Sequence, residues 1–146
     1  MHLLGDPSVE LRRADLIVQW ELAAKQAAAW PSTLKSAFWG AWYELALTRR
    51  IDRTAFAPTP SVDAALLRVT RRDRPLVPPE RHRDYWPFLR EAFQDRPVPG
   101  RLTQRLSRIE LKRLAPVLGF SMRAQPRDLD AHQWAALFAA STNRLR

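Results

Sequence analysis

The stretch that decides the fold is Ala55-Phe56-Ala57-Pro58-Thr59-Pro60-Ser61-Val62-Asp63-Ala64-Ala65-Leu66-Leu67-Arg68-Val69. Each proline fixes its own φ near −65° and disfavours helical geometry in the residue before it, so we expect a stiff, extended segment over residues 57–61. The apolar run over residues 62–69 predicts a buried strand. Such a segment can hold the Phe56 ring at the edge of a sheet, but the same pattern is also typical of a proline-rich loop with Phe56 as a core residue.

Composition indicates a basic protein with few chemical options. The 146 residues carry a formal net charge of +9, and nearly all the cations are arginine. Arginine matches phosphate oxygens and stacks on bases, so a polyanionic partner is indicated, although a GC-rich genome would also enrich arginine. Cysteine is absent and the three histidines lack ligand spacing, so we expect no metal site. With no membrane-spanning run and no secretory signal, we expect a cytoplasmic protein without membrane contact.

The first half of the chain reads as part of an α/β sheet. We predict strands over residues 16–20, 38–47 and 64–70, and a helix over residues 21–29. The last two strands should pair as an antiparallel hairpin at one edge of the sheet.

The second half reads as helical. A proline-rich bridge near residues 75–79 predicts a boundary between a unit of residues 1–74 and a small helical unit of residues 80–146. Helices are predicted over residues 83–93 and 101–118, with Gly119 as a stop signal. A last helix should begin at a capping box formed by Asp130 and Gln133.

Three segments together resemble one protein family. Residues 56–64 resemble the F-x-P-x-P-x-V-[DN]-[SA] segment of the ribosomal RNA adenine N6-methyltransferases. Residues 14–21, Ala-Asp-Leu-Ile-Val-Gln-Trp-Glu, resemble the A-D-L-x-x-Q-W-E strand of the macrolide-resistance (Erm-type) branch, and residues 39–44 with 49–51 resemble its next strand. The resemblance implies an α/β fold: the C-terminal strands of a doubly wound methyltransferase sheet, followed by a small all-helical domain.

The resemblance implies S-adenosylmethionine as the family's cofactor, bound by a glycine-rich loop. It also implies an N-[IL]-P-[YF] loop that holds the amino group of the target adenine. Neither motif is in this sequence: the four glycines are isolated, and the only asparagine is Asn143. We therefore expect the chain to begin after these loops, to hold no cofactor-binding residue, and not to methylate alone.

What the resemblance assigns to this half is contact with the substrate. The aromatic residue at the position of Phe56 packs on the flipped-out adenine in the family. Asp63 is expected to anchor the turn, and Lys25 alone represents a basic cluster that the family carries near the RNA. Further candidate phosphate contacts, which could equally form a solvated basic face, lie near the ends of the hairpin strands: Arg49, Arg50, Arg53, Arg71, Arg72 and Arg74.

The function expected from the resemblance is 23S rRNA adenine N6-methylation of the macrolide–lincosamide–streptogramin resistance type. The alternatives are a non-catalytic RNA-binding remnant and the 16S rRNA dimethyltransferase branch, over which Gln19-Trp20-Glu21 and Trp42-Tyr43 favour the Erm type. Ribosomal RNA is the expected partner, 23S rather than 16S. A sheet without its inner strands exposes the edge of the strand at residues 16–20, so we also expect self-association through that edge.

Overall fold

Three strands precede most of the helices along the chain. A computed structural model of the protein describes residues 4–28, 33–93 and 97–143. The strands are β1 (Arg13–Gln19), β2 (Tyr43–Ile51) and β3 (Ala64–Arg71). The α-helices are α1 (Trp20–Gln26), α2 (Leu34–Trp39), α3 (His82–Ala92), α4 (Val98–Leu102), α5 (Arg108–Leu118) and α6 (Ala131–Asn143). Short 3-10 turns lie at Arg53–Ala55, Pro79–Arg81 and Pro126–Asp128.

The strands form one antiparallel sheet with the order β1-β3-β2. The predicted pairing of β2 with β3 is confirmed, but β3 lies between the other two strands and is not at the edge. Leu67 is the centre of the register, since it lies opposite both Leu16 and Leu47. Ala65, Leu67 and their neighbours on one face are buried, which follows from the period of two that side chains have along a strand.

The predicted strand over residues 38–47 is wrong in its first part. Phe38 and Trp39 belong to α2, and β2 begins only at Tyr43. A capping box starts the helix: the Thr33 hydroxyl accepts a hydrogen bond from the Ser36 amide at 3.1 Å, and the Ser36 side chain bonds the Thr33 amide. The two rings are buried in a helical core, and this burial overrides the preference of aromatic residues for strands.

The predicted helix over residues 101–118 is two helices. The Ser107 side chain caps a new helix by accepting from the Glu110 amide at 3.2 Å, while the Glu110 carboxylate accepts from the Ser107 amide at 2.7 Å. The stop at Gly119 is confirmed, because this residue has φ 74° in the left-handed region. The capping box of Asp130 and Gln133 is also confirmed, with both hydrogen bonds at 2.8 Å.

The core is continuous from the sheet into the helices. Its aromatic centre lies between α2, α3 and α6 and contains Trp42, Tyr85, Phe88, Trp134 and Phe138. The Trp42 indole donates to the Val77 carbonyl at 2.7 Å, so the bridge after the sheet is bonded to this core. The same cluster includes residues on both sides of the expected boundary near residues 75–79, so the division into two domains stays a prediction. Among the described helices none is long and apolar enough to cross a bilayer.

Candidate functional site

Asp63 connects the chain segments around the loop that follows β2. One carboxylate oxygen accepts from Nε and Nη2 of Arg50 at 3.0 and 2.6 Å, and the other accepts from the Arg53 amide at 3.1 Å. The Arg50 hydrogen bonds, and then the Arg53 amide, hold the pKa of the Asp63 carboxyl below its usual range. The carboxylate is therefore charged at neutral pH, and its predicted role as the anchor of this turn is confirmed.

A β-bulge in β2 sets the direction of Arg50. Between Leu47 and Arg49 the pairing with β3 shifts by one residue, so that Arg49 lies opposite Leu66 and Arg50 opposite the buried Ala65. In a strand without the bulge the two arginines would exchange faces, because side chains alternate along a strand. Arg50 therefore reaches the covered face of the sheet, while Arg49 is on the open face.

Trp20, which was not predicted as a site residue, is the other partner of Arg50. The guanidinium carbon lies 4.8 Å from the centre of the Trp20 ring, in cation–π geometry. The Trp20 amide also donates to the Asp63 carbonyl at 2.9 Å. The ends of β1 and β2 and the start of β3 are thus bonded together, and the sequence signal for this was a tryptophan placed directly after a strand.

This anchoring fixes the approach to Phe56. The Asp52 carboxylate accepts from the Thr54 amide at 2.8 Å and caps the 3-10 turn, and Phe56 follows with extended φ of −115° and ψ of 147°. The ring is half-buried, and within the described residues Phe56 belongs to neither cluster of core residues. The alternative that Phe56 is a core residue is therefore wrong.

The segment after Phe56 is less regular than predicted. The backbone bends over residues 56–58, where the Ala57–Pro58 peptide bond is cis, and the Thr59 hydroxyl donates to the Phe56 carbonyl at 3.4 Å. Val62 is 45% exposed, so the buried strand begins only at Ala64. The bends at residues 57, 58 and 61 contradict the expectation that residues 57–61 are extended throughout.

A polar pocket of 520 Å³ lies beside the loop. Trp20, Arg50, Arg53, Asp52 and Asp63 line it, and Phe56 does not. Cations and carboxylates are mixed on its walls, so the pocket itself does not select for an anion. The exposed cations next to it and the Phe56 ring are the groups that remain available to a ligand.

The structure divides the predicted basic residues between two ends of the sheet. Arg49, Arg50 and Arg53 lie near Phe56, whereas the second group follows the far end of β3, which is about 23 Å away for a strand of eight residues. That second group consists of Arg71, Arg72 and Arg74. The sequence alone placed all six near strand ends but did not separate them.

Two arginines of the second group have internal partners, as Arg50 does in the first group. The Arg71 guanidinium donates to the carbonyls of Pro7 and Val9, both at 2.8 Å. Arg72 donates to the Gly40 carbonyl and to the Glu44 carboxylate, both at 2.9 Å. The charge of Arg53 acts on the neighbouring Asp52 carboxylate. Four predicted cations are exposed, and their side chains have no hydrogen bond or close ion pair among the described residues: Lys25, Arg49, Arg53 and Arg74.

Two glycines have structural roles in the fold, and the expectation that this chain holds no residue that binds S-adenosylmethionine stays a prediction. A Cβ on Gly40 would lie 2.9 Å from the Ala131 side chain, so this glycine serves helix packing, and Gly119 ends a helix. In residues 4–28, 33–93 and 97–143 no group of three or more His, Cys, Asp or Glu side chains could hold a metal ion.

Residues 1–134 match the protein family described as ribosomal RNA adenine dimethylase. The chain belongs to this family. Its fold, three antiparallel strands followed by helices, is that of the C-terminal part of the family's structures, so the predicted fold class is confirmed.

The relatives include one resistance protein and several rRNA methyltransferases. The mycinamicin-resistance protein MyrB of Micromonospora griseorubida is 37% identical over 130 residues, which are 86% of this chain and 41% of MyrB. An rRNA adenine N-6-methyltransferase of Corynebacterium diphtheriae is 34% identical over 83 residues, which are 57% of this chain and 33% of that protein. The crystal structure of the 23S rRNA methyltransferase ErmE matches with a TM-score of 0.75 at 21% identity, over 90% of this chain and 55% of ErmE. The chain thus spans about half, or less, of the length of these relatives.

Proposed function

We propose that this chain supplies the substrate-binding side of an Erm-type 23S rRNA adenine N6-methyltransferase, which acts in the cytoplasm with S-adenosylmethionine as methyl donor. Macrolide–lincosamide–streptogramin resistance would be the outcome of its activity. The relatives support this proposal, since MyrB is a resistance protein and ErmE a 23S rRNA methyltransferase.

The observation that carries the proposal is the anchored, half-buried ring of Phe56. Enzymes that modify a base remove it from the stack and hold it against aromatic side chains. The hydrogen bonds between Arg50 and Asp63 anchor the loop, and the Phe56 ring is not packed in the core, so the ring can contact a base. Arg49 and Arg53, both exposed nearby, are suited to contact the phosphates on either side of a flipped base.

A chimera tests the role of Phe56. The matching segment of MyrB is replaced by this chain, and methylation of 23S rRNA is measured by primer extension together with macrolide resistance. Phe56→Ala should lower kcat/KM roughly 5- to 150-fold, the range for loss of one base–aromatic stack, while Phe56→Tyr should retain most activity. Ile109→Ala, at an apolar residue that is 71% exposed on α5, is the control. Full activity of Phe56→Ala would show that the ring does not hold the adenine.

RNA binding without catalysis is the second candidate, and the unpartnered cations favour it. The affinity of the 146-residue chain for a 23S rRNA fragment should fall with salt on a log–log plot. The double variant Arg49→Gln with Arg53→Gln removes two cations, so the slope of log affinity against log salt concentration should become shallower by about 1.4 on single-stranded RNA. A salt-independent affinity would refute phosphate contacts. Equal binding of 16S rRNA by the chain, together with methylation of 16S rRNA by the chimera, would favour the dimethyltransferase branch.

Self-association through β1 is a further part of the proposal. This strand is at the edge of the sheet, and Ile17 on it is 60% exposed. Exposed strand edges pair with other strands, so the chain should dimerise at micromolar concentration. Sedimentation as a single monomeric species would contradict this.

A further inference from the structure

An aromatic pocket lies at the opposite end of the sheet from Phe56. It has a volume of 600 Å³ and is formed by α2, α3 and the chain near Gly5. It adjoins the start of β2, because the pocket residue Trp39 ends α2 shortly before β2 begins at Tyr43. Its wall and rim include Lys35, Phe38, Trp39, His82, Arg83 and Trp86.

The wall of the pocket consists of rings held by the core. The Phe38 and Trp86 centroids are 5.1 Å apart with the planes at 90°, and Phe38 in turn contacts Trp42 at 4.8 Å. Trp39 is 5% exposed, whereas Trp86 is half-buried. Trp86 therefore has a fixed orientation and a part of its surface open to the pocket, which suits contact with another planar ring.

The rim of the pocket is cationic. Lys35 and Arg83 are exposed, and neither side chain has a hydrogen bond or a close ion pair among the described residues. The Asp6 carboxylate lies within range of the charges of His82 and Arg83. The ring of His82 is oriented by its Nδ1, which lies 2.7 Å from the Pro79 carbonyl oxygen. The acidic groups nearby are already engaged: Asp6 accepts from the amide and hydroxyl of Ser8, and Asp84 is paired with Arg81 at 3.5 Å.

We propose that this pocket binds one unpaired nucleotide of the ribosomal RNA, with the base against Trp86 and its phosphate between Lys35 and Arg83. The charge pattern favours this occupant, because Lys35 and Arg83 outnumber the nearby Asp6 carboxylate and an apolar peptide would offer these cations no anion. A nucleotide satisfies both parts, since it combines a planar ring with an anion. The inference rests on the proposed function for the identity of the RNA. It adds a second contact roughly one strand length from Phe56.

Cross-linking locates the contact directly. The 146-residue chain is irradiated with single-stranded RNA that contains 4-thiouridine and is then digested with trypsin. Cleavage after Arg83 and Arg90 releases residues 84–90, which contain Trp86, and cleavage after Lys35 and Arg49 releases residues 36–49. We expect RNA adducts on one or both of these peptides.

Two variants test the energetics in the same chain. Trp86→Ala should weaken binding of a 23S rRNA fragment roughly 5- to 150-fold, and Trp86→Phe should restore most of it. Lys35→Gln with Arg83→Gln changes only exposed side chains and should reduce the salt slope by about 1.4. The matched control, Arg123→Gln with Arg127→Gln, also removes two exposed cations but lies after α5 and should leave the slope nearly unchanged.

The outcomes separate this inference from the proposed function. If the unaltered chain binds RNA but the pocket variants bind as tightly, and no adduct falls on the two peptides, the inference is overturned while RNA binding stands. The pocket would then be assigned to a polypeptide segment. If the unaltered chain shows no RNA binding at any salt concentration, both fail. Adducts on residues 84–90 together with a loss in Trp86→Ala support the pocket, whatever Phe56→Ala does.

Discussion

The hydroxyl of Tyr85 should destabilise the protein. The side chain is fully buried at the centre of the core, against Phe88, Phe138 and Trp42, and its oxygen has no hydrogen-bond partner among the described residues. A buried polar group without a partner loses its hydration and gains nothing in return, at a cost of about 1–3 kcal/mol. Tyr85→Phe retains the ring and removes only this oxygen, so it should stabilise the fold by about that amount.

The expected shift in melting temperature follows from the size of the chain. At about 2.1 cal/mol/K per residue, unfolding of 146 residues has an entropy near ~0.3 kcal/mol/K. Each 1 kcal/mol then corresponds to ~3 °C, so Tyr85→Phe should melt about 3–10 °C higher. Circular dichroism melts at pH 7 and urea titrations at 25 °C measure the two quantities independently.

Alkaline pH gives a second readout that is specific to this hydroxyl. Burial raises the pKa of Tyr85 above its usual value of 10.0, so the unfolded chain loses this proton at lower pH than the folded one. The stability that the raised pKa confers is present below pH 10 and is lost above it, by about 1.4 kcal/mol between pH 9 and 11. Tyr85→Phe should not lose this stability between pH 9 and 11. Burial also raises the pKa of Tyr43, but this residue is present in both proteins, so its contribution cancels when they are compared.

Either of two results would show that the Tyr85 hydroxyl is not an unpaired buried group. If Tyr85→Phe is equally or less stable at pH 7, the hydroxyl has a stabilising partner, and its burial does not cost the free energy expected for an unpaired group. If the variant and the unaltered chain lose the same stability between pH 9 and 11, Tyr85 ionises in the folded state.

Two further predictions concern the helical part. Ser107→Ala removes the capping box with Glu110 at the start of α5 and should destabilise the fold by about 0.5–2 kcal/mol in urea titrations; a change below roughly 0.3 kcal/mol would show that the cap is dispensable. Gly119→Ala places a Cβ on a residue with φ 74° and should destabilise the fold by about 1–2 kcal/mol. The control is Gly100→Ala, where a Cβ would meet nothing within 4 Å, and this variant should be neutral or slightly stabilising. Equal effects at the two glycines would contradict the role of the positive φ.

The sequence predicted those elements whose signals are local. The strands β1 and β3, the stop at Gly119 and the capping box of Asp130 and Gln133 each depend on residues within a few positions of one another. The strand that was predicted across Phe38 failed because burial in the helical core decided its conformation, and this burial depends on residues far along the chain.

The same distinction holds for the candidate site. Asp63 was identified as an anchor because it lies in the Phe56 segment itself. The internal use of Arg71 was not predictable, since its partners are carbonyl oxygens of residues 7 and 9, which have no side-chain signature. The bulge that exchanges the faces of Arg49 and Arg50 likewise depends on the pairing register and leaves no mark in the sequence.

The bridge between the sheet and α3 has a mechanical consequence. The Leu76 amide donates to the Ala41 carbonyl at 2.8 Å, and the Val77 carbonyl accepts from the Trp42 indole at 2.7 Å, so this connection is bonded to the turn that precedes β2. These bonds oppose a movement of α3 relative to the sheet, and therefore a change in the separation of Phe56 and Trp86. An RNA strand that contacts both residues would therefore bind with a smaller loss of conformational entropy than it would if a hinge joined the two sites.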